Sequence, residues 1–500
     1  MGCQMRNPLR GLLLCSLLVP GVASAVLEPA SPESQGVSSQ GVLDWIDACE
    51  NTFDRAGKGT IRGFVIVRHG KTVAEGSWRP FDTLNEPHML YSHSKSFTST
   101  AVGFLVDDGK LDLDERVVDI FPEAVPTNAC ENLRMIRVRD LLTRTHGEET
   151  SHTIYKTDHW VNAFMRKSFP YGPGLRMWYD SDATYMLAAI VSRRSGTDMW
   201  DFLKARLLDR IGIEKAWTTR SPQGIPCGGW GMNMTTRELA RFGQFYLQRG
   251  AWNGEQLLSP DWVALATTRQ TWCDGIRIQS QVIGSGSDWR QGYGFQFWRC
   301  RHGAYRADGA AGQLTVVFPE QDAVVSVHAA IGDMQAELNL IWDHLLPAFR
   351  PEPLPEDAAR LRDRLANLAI PPLEGTRKGA ADGRLGRTFW FPENPHGVRS
   401  VRFDRTADGW SCSLVTPCGE QVFPVGYGRW AAGEIALGTG GPERLFTYPG
   451  SYKTVASGAF GTNGNFRVRM MMTRAPTGLL FDLPPEGPVS CRGFVDAELK

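Results

Sequence analysis

The sequence has no excess of either charge: its 500 residues carry 54 Lys and Arg against 54 Asp and Glu. Nucleic acids and acidic membrane surfaces are recognised through a basic excess, so the balance removes support for both as partners. Beyond the first two dozen residues there is no long apolar run, and no transmembrane segment is expected. There is no C-x-x-C pair and no histidine cluster at zinc-like spacing, so no metal site is expected. No internal repeat of fixed period is present, which excludes solenoids and propellers. What is present is 16 Trp and 53 Gly. These suit a loop-rich, pocketed globular chain, and its length suggests two or three domains with real cores.

The start reads as a secretory signal over residues 1–25. Arg6 and Arg10 form the basic end, Leu12 to Val22 is a short apolar run, and Ala23-Ser24-Ala25 is a small-x-small cleavage site. An exported chain, periplasmic or secreted, is therefore expected. Cys3 and Cys15 leave with the signal, and eight cysteines remain. An even count in an oxidising compartment permits disulfides, with the connectivity open. Cys412 and Cys418 are close enough in sequence to pair across a hairpin.

The stretch Tyr91-Ser92-His93-Ser94-Lys95 carries an S-x-x-K pair, followed by the apolar run Ala101 to Val106 and a stop at Gly109. If Ser92 opens a helix there, Ser92 and Lys95 share one face a turn apart. A hydroxyl becomes a useful nucleophile only when a nearby base takes its proton. Lysine serves as that base when burial or neighbouring cations bring its pKa from ~10 toward ~7–8. Chance alone gives about one or two S-x-x-K matches in a chain of this length, so context must decide. His93, one position on, points away from the face of Ser92.

Strand patterns at Gly63 to Arg68 and Lys71 to Glu75 flank a His69-Gly70 turn. Short helices are expected from Leu111 to Phe121, at Val138 to Leu142, at Asp158 to Met165, at Ala183 to Arg194 and at Asp198 to Leu208. Thr235-Thr236-Arg237-Glu238 has the form of a helix cap. Strands are expected at Tyr293 to Trp298, Leu314 to Phe318 and Ala323 to Val327, then a helix from Glu337 to Leu346. The order of strands, helices, strands and helix predicts an α+β domain over residues 26–350, its sheet built from both chain ends around an inserted helical region. Residues 351–388 read as a linker with a short helix. Residues 389–500 show only short alternating runs, the pattern of a small all-β barrel or sandwich.

Tyr179-Asp180-Ser181 lies 87 residues after Ser92, directly before a helix. With the motifs in this order, the chain resembles the serine β-lactamase-related family, which includes class C β-lactamases, penicillin-binding peptidases, family VIII esterases and 6-aminohexanoate-dimer hydrolases. The likeness covers roughly residues 30–347. It implies a β-lactamase/transpeptidase-like fold, Ser92 as acylated nucleophile, Lys95 as its base and Tyr179 as second general acid/base. It also implies an oxyanion site between the Ser92 N–H and a strand beginning near Ala310, with Gly309 and Gly312 beside it. Ser181 and Trp230 are candidates for the substrate pocket, as are Trp178 and Tyr293. The family's third motif, Lys-Thr-Gly or His-Thr-Gly, is replaced by Ala307-Asp308-Gly309. The cation that holds a β-lactam or peptide carboxylate is missing, which argues for a neutral ester or amide over a β-lactam. Asp308 reads as a turn residue, and Arg301 or Arg306 could supply a replacement cation.

The expected activity is that of a serine hydrolase forming an acyl-enzyme on Ser92, with no cofactor and a small ester, amide or peptide-like substrate. The alternative is an inactive relative that binds a cell-wall or peptide ligand. The sequence does not address oligomeric state.

Overall fold

The computed structural model describes residues 27–493, apart from 151–152, 274–276, 279–280, 283–285, 356, 395–396 and 437–450. The signal expected over residues 1–25 lies outside the described residues. No described helix is long and apolar enough to cross a membrane.

A six-stranded antiparallel sheet organises the larger part. Its strands are β1 (Gly59–Arg68), β2 (Lys71–Ser77), β3 (Trp298–Arg299), β4 (Tyr305–Gly309), β5 (Gln313–Phe318) and β6 (Ala323–Ile331), in the order β3-β4-β5-β6-β1-β2. Both ends of this larger part thus contribute to one sheet. His69 and Gly70 take left-handed backbone, φ 49° and 72°, which makes the two-residue turn between β1 and β2. The near-continuous apolar character of β1 follows from its central place, covered on both faces. Val65 and Val67 join a core with α2 (Ser94–Asp107), α4 (Asp182–Ser195) and α5 (Thr236–Leu247). Phe64 and Ile66 join the opposite core with α1 (Ser39–Cys49) and α6 (Met334–Leu340). The period-two alternation of a strand makes this division. α3 (Val138–Thr143) packs on α4 in the helical layer. The expected cap of α5 is present: Thr235 Oγ1 accepts from Glu238 N–H, and the Glu238 carboxylate accepts from Thr235 N–H.

Three sequence expectations are corrected. The strand expected over Tyr293 to Trp298 shrinks to Trp298–Arg299. Gln296 turns to φ 64°, and its buried side chain donates to the Leu141 and Leu142 carbonyls. The helix expected from Leu111 forms only over Val117–Ile120, because Asp112 Oδ1 accepts from Asp114 N–H and holds a turn. Cys412 and Cys418 do not pair: Cys412 stands opposite Phe423 and Cys418 lies on the turn.

The C-terminal part is a nine-stranded sheet: β7 (Thr388–Trp390), β8 (Ser400–Thr406), β9 (Gly409–Thr416), β10 (Gly419–Gly426), β11 (Ala431–Ile435), β12 (Tyr452–Phe460), β13 (Phe466–Met472), β14 (Gly478–Leu483) and β15 (Ser490–Gly493). It is one curled sheet, not a two-sheet sandwich. Phe403 of β8 meets Phe466 of β13 and Phe481 of β14 at 5.4 and 5.7 Å between ring centres, so distant strands share one core.

This sheet packs behind the segment that leads into Ser92. Met89 belongs to its core and donates its N–H to the Arg474 carbonyl at 2.9 Å, while Tyr91 packs against the same core. Arg62 of β1, 1% exposed, donates to the carbonyls of Met472 and Ala475 at 2.9 and 2.5 Å.

Candidate active site

Ser92 lies in a single 3₁₀ turn, Tyr91–His93, immediately before α2, and does not itself open the α-helix. Tyr91 takes φ 48°, a conformation that is strained for a residue with a bulky side chain. Packing from the C-terminal sheet holds it there. The one-turn spacing still brings Ser92 and Lys95 together, with Lys95 Nζ donating to Ser92 Oγ at 2.8 Å.

Lys95 is 1% exposed. Its Nζ also donates to Ser181 Oγ at 3.0 Å and to the Gly229 carbonyl at 2.6 Å. All three acceptors are neutral. Burial, then the nearby Arg144 charge, hold its pKa well below the usual lysine value. That direction favours the neutral amine, which in hydrogen-bond contact with a serine hydroxyl can serve as the general base of its nucleophile.

Tyr179 completes the group. Its phenol hydrogen-bonds with Ser92, and its ring lies 5.3 Å from Lys95 Nζ and 5.0 Å from the Arg144 guanidinium. Tyr293 meets that ring edge-on at 6.3 Å and Trp298 at 5.4 Å. Burial, then Tyr293 and Asp308, push the phenol well above its usual pKa, against Arg144 and the Ser92 bond. Tyr179 is therefore a neutral phenol that carries a proton.

Behind Tyr179 lies a group of buried charges that sequence reasoning missed. Arg144 follows α3 with left-handed backbone, φ 66°, and is fully buried. It donates to Asp180 Oδ1 at 2.7 Å, to Gln296 Oε1 at 2.7 Å and to Thr184 Oγ1 at 2.5 Å. Asp180 also faces His146 Nε2 at 3.2 Å. His146 in turn lies 3.4 Å from Glu148, and Lys167 pairs with Glu148 and with Asp182. Burial opposes the His146 charge, but Asp180 and Glu148 outweigh it and raise its pKa to about 9. Burial likewise opposes ionised Asp180, yet His146 and Arg144 hold its pKa well below the carboxylate range. His146, Glu148 and Asp180 bring donor atoms within 4.8 Å of one another, as a metal site would. Here Arg144, His146 and Lys167 balance Asp180, Glu148 and Asp182 with three charges against three. Most of these residues are ordinary in isolation, and Asp180 and Asp182 carried a local signal from their place in and beside the Tyr-x-Ser motif.

The strand side differs from the expectation of a strand beginning near Ala310. β4 ends at Gly309, and Ala310, Ala311 and Gly312 form the three-residue turn to Gln313. Ala311 and Gly312 take φ 65° and 87°. A Cβ on Gly309 would stand 1.9 Å from the Leu90 carbonyl oxygen and 3.1 Å from His93 N, so only glycine lets this strand end touch the Ser92 turn. Asp308 lies in β4, not in a turn, and accepts from Arg306 Nε at 2.8 Å. Arg306 is fully buried, and Arg301 is paired with Asp288, so neither is a free anion anchor.

Of the remaining candidates, Ser181 sits on Lys95, not in an open pocket. Trp230, 1% exposed, packs among Tyr155 and Trp160 in the core. Tyr293 is buried, and His93 is enclosed with its ring near Phe97 at 6.0 Å; burial lowers its pKa to about 3.

A family model described as Beta-lactamase matches residues 50–343, more than half of the chain. The chain belongs to the Beta-lactamase family. Hydrolases stand among its relatives. A 6-aminohexanoate-dimer hydrolase of Paenarthrobacter ureafaciens is 23% identical over 329 residues, 62% of this chain and 81% of that protein. Among solved structures, an octameric penicillin-binding protein homologue from Pyrococcus abyssi is 15% identical, with 91% of this chain and 99% of that chain covered at a TM-score of 0.49. A family VIII carboxylesterase is 17% identical over 63% of this chain and 99% of that chain, at a TM-score of 0.48.

Proposed function

We propose that this Beta-lactamase-family protein is an exported serine hydrolase that cleaves an ester or amide through an acyl-enzyme on Ser92. The observation that carries the reading is the contact of Lys95 Nζ with Ser92 Oγ at 2.8 Å, from a lysine whose pKa burial and Arg144 lower well below the usual value. Lys95 takes the Ser92 proton as Oγ attacks the carbonyl carbon. The N–H groups of Ser92 and Ala310 stabilise the oxyanion, because Gly309 brings the end of β4 against the nucleophile turn. Tyr179, neutral and hydrogen-bonded to Ser92, passes a proton to the leaving oxygen or nitrogen. Water then attacks the acyl-enzyme by the reverse relay. Ser181 and the Gly229 carbonyl hold Lys95 in place.

β-Lactams are poor substrates in this reading, since Ala307 stands where their carboxylate would meet a cation. A linear ester or amide fits better, and the relative named 6-aminohexanoate-dimer hydrolase acts on a 6-aminohexanoate dimer by its name.

Treatment with a fluorophosphonate followed by intact-protein mass measurement tests the reading. A single adduct on the wild type, absent from Ser92→Ala, is expected. A folded wild type that takes no adduct would instead favour the inactive ligand-binding relative.

A further inference from the structure

Beneath the turn that joins β4 to β5 lies a buried amide that takes no part in the proton relay. Gln313 opens β5 and is fully buried. Its Nε2 donates to the carbonyls of Ala310 at 3.2 Å, Ala311 at 3.1 Å and Ala329 at 2.8 Å. Ala329 belongs to β6, the neighbour of β5, so one amide ties the turn to the middle of the sheet. The Ala311 carbonyl also accepts from the Ile331 N–H at 3.3 Å. Ala311 holds φ 65°, a conformation that costs free energy for a residue with a Cβ and persists only where its surroundings fix it. The Gln313 amide and the Ile331 N–H supply that fixing.

The other end of the amide is held as well. Gln313 Oε1 lies 2.8 Å from His328 Nδ1, and His328 Nε2 lies 3.1 Å from the Met234 carbonyl. Both ring nitrogens therefore face an acceptor. His328 is fully buried, with His88 at 4.8 Å between ring centres and Arg62 and His93 nearby. Burial, then His93, lower its pKa to about 3, so the ring is neutral and has one N–H to give. Reversing the Gln313 amide would set its oxygen against three carbonyl oxygens, so the amide cannot turn to suit the ring. The shorter contact takes the proton, and Nδ1–H donates to Gln313.

The turn held in this way carries Ala310. A Cβ on Gly309 would stand 3.1 Å from His93 N, which sets the start of the turn against the Ser92 segment. The Ala310 N–H and the Ala310 carbonyl flank one Cα, so a bond on the carbonyl limits the swing of the N–H. We propose that Gln313, locked by His328, is the positioning residue of this turn, holding it from beneath so that the Ala310 N–H stays aimed at the carbonyl oxygen of the substrate. The inference rests on the hydrolase reading and adds to it the device that keeps one oxyanion donor in place.

The test uses p-nitrophenyl butyrate as substrate and phenylboronic acid as a tetrahedral analogue, at a temperature where every variant is folded. Gln313→Met keeps the length of the side chain and removes the donor. Its kcat should fall by about 10–100-fold with KM within about twofold, the pattern of a displaced oxyanion donor. The inhibition constant of phenylboronic acid should rise in step, which loss of stability alone would not produce. His328→Leu should share the defect. His328→Asn should restore activity, since its amide nitrogen takes the place of Nδ1, whereas His328→Gln, which mimics Nε2, should not. The His328 variants carry the test if Gln313→Met does not fold. A folded Gln313→Met with unchanged kcat and boronate inhibition overturns the proposal and leaves the hydrolase standing. Rescue by His328→Gln in place of His328→Asn overturns the lock by placing the proton on the Met234 side. A wild type that takes no fluorophosphonate adduct at Ser92 overturns the hydrolase and this positioning role together.

Discussion

Arg144 stands at the centre of the residue-scale chemistry, although it touches neither Ser92 nor Lys95 in a hydrogen bond. Its charge disfavours the Lys95 proton, and its guanidinium covers the Tyr179 ring. Arg144→Gln removes that charge, so Lys95 should hold its proton to higher pH. The acid limb of the kcat/KM profile is expected to move upward in pH, while thiol- or amine-independent binding of a neutral ligand stays put. A profile that falls uniformly without moving would reduce Arg144 to a structural role. Tyr179→Phe keeps the ring and its contacts but removes the proton carrier. A loss of about 10²–10³ in kcat is expected from acid–base catalysis, with KM little changed. The Ser92–Lys95 pair was legible in the sequence because helix spacing alone brings positions three apart together. Arg144 was not, because its partners Asp180 and Gln296 lie 36 and 152 residues away.

At the scale of elements, β4 and the Ser92 turn meet through one glycine. Gly309→Ala places a methyl group where the Leu90 carbonyl already stands, so β4 must withdraw from the nucleophile. Acylation by the fluorophosphonate should slow by at least about tenfold, the cost of a misplaced oxyanion donor, with a melting temperature lowered only modestly. Unchanged acylation would show that this strand end takes no part. The cap of α5 offers a contrast without chemistry. Thr235→Ala leaves helix N–H groups without their partner and should cost about 1 kcal/mol in denaturant unfolding while the acylation rate holds. The cap, the β1–β2 turn and the β5–β6 hairpin were readable because each is decided by a few consecutive residues. The strand expected at Tyr293 to Trp298 was misread for the opposite reason: Gln296 follows its distant partners, not the local pattern.

For the whole molecule, buried histidines make stability depend on pH in two directions. Burial lowers His93 and His328 from 6.5 to about 3. The unfolded chain therefore binds protons that the folded chain refuses. The stability they allow is present above pH 6.5 and is lost as pH falls toward 3. His146 is raised to about 9, so its contribution is full below pH 6.5 and is lost as pH rises through 9. Denaturant midpoints should fall on both sides of neutrality, and His146→Gln should flatten only the alkaline side. A midpoint independent of pH from 4 to 9 would contradict both assignments. The contact between the two sheets makes a further prediction. Arg62→Met leaves the Met472 and Ala475 carbonyls without a donor, a loss of about 1–3 kcal/mol for each buried group. The C-terminal sheet should then melt earlier than the rest, seen as a split transition in calorimetry, and acylation of Ser92 should slow as its supporting turn loosens.

The sequence by itself determined the order of strands and helices, the α+β class with an all-β C-terminal part, and the spacing that sets Lys95 beside Ser92. These are local matters of period, cap and turn. Tertiary structure alone decided that Gly229 and Ser181 hold Lys95, that Arg144 and its buried charges stand behind Tyr179, and that the C-terminal sheet supports the nucleophile turn. Charges taken out of water must find partners wherever the fold supplies them, and no local pattern records partners a hundred residues away.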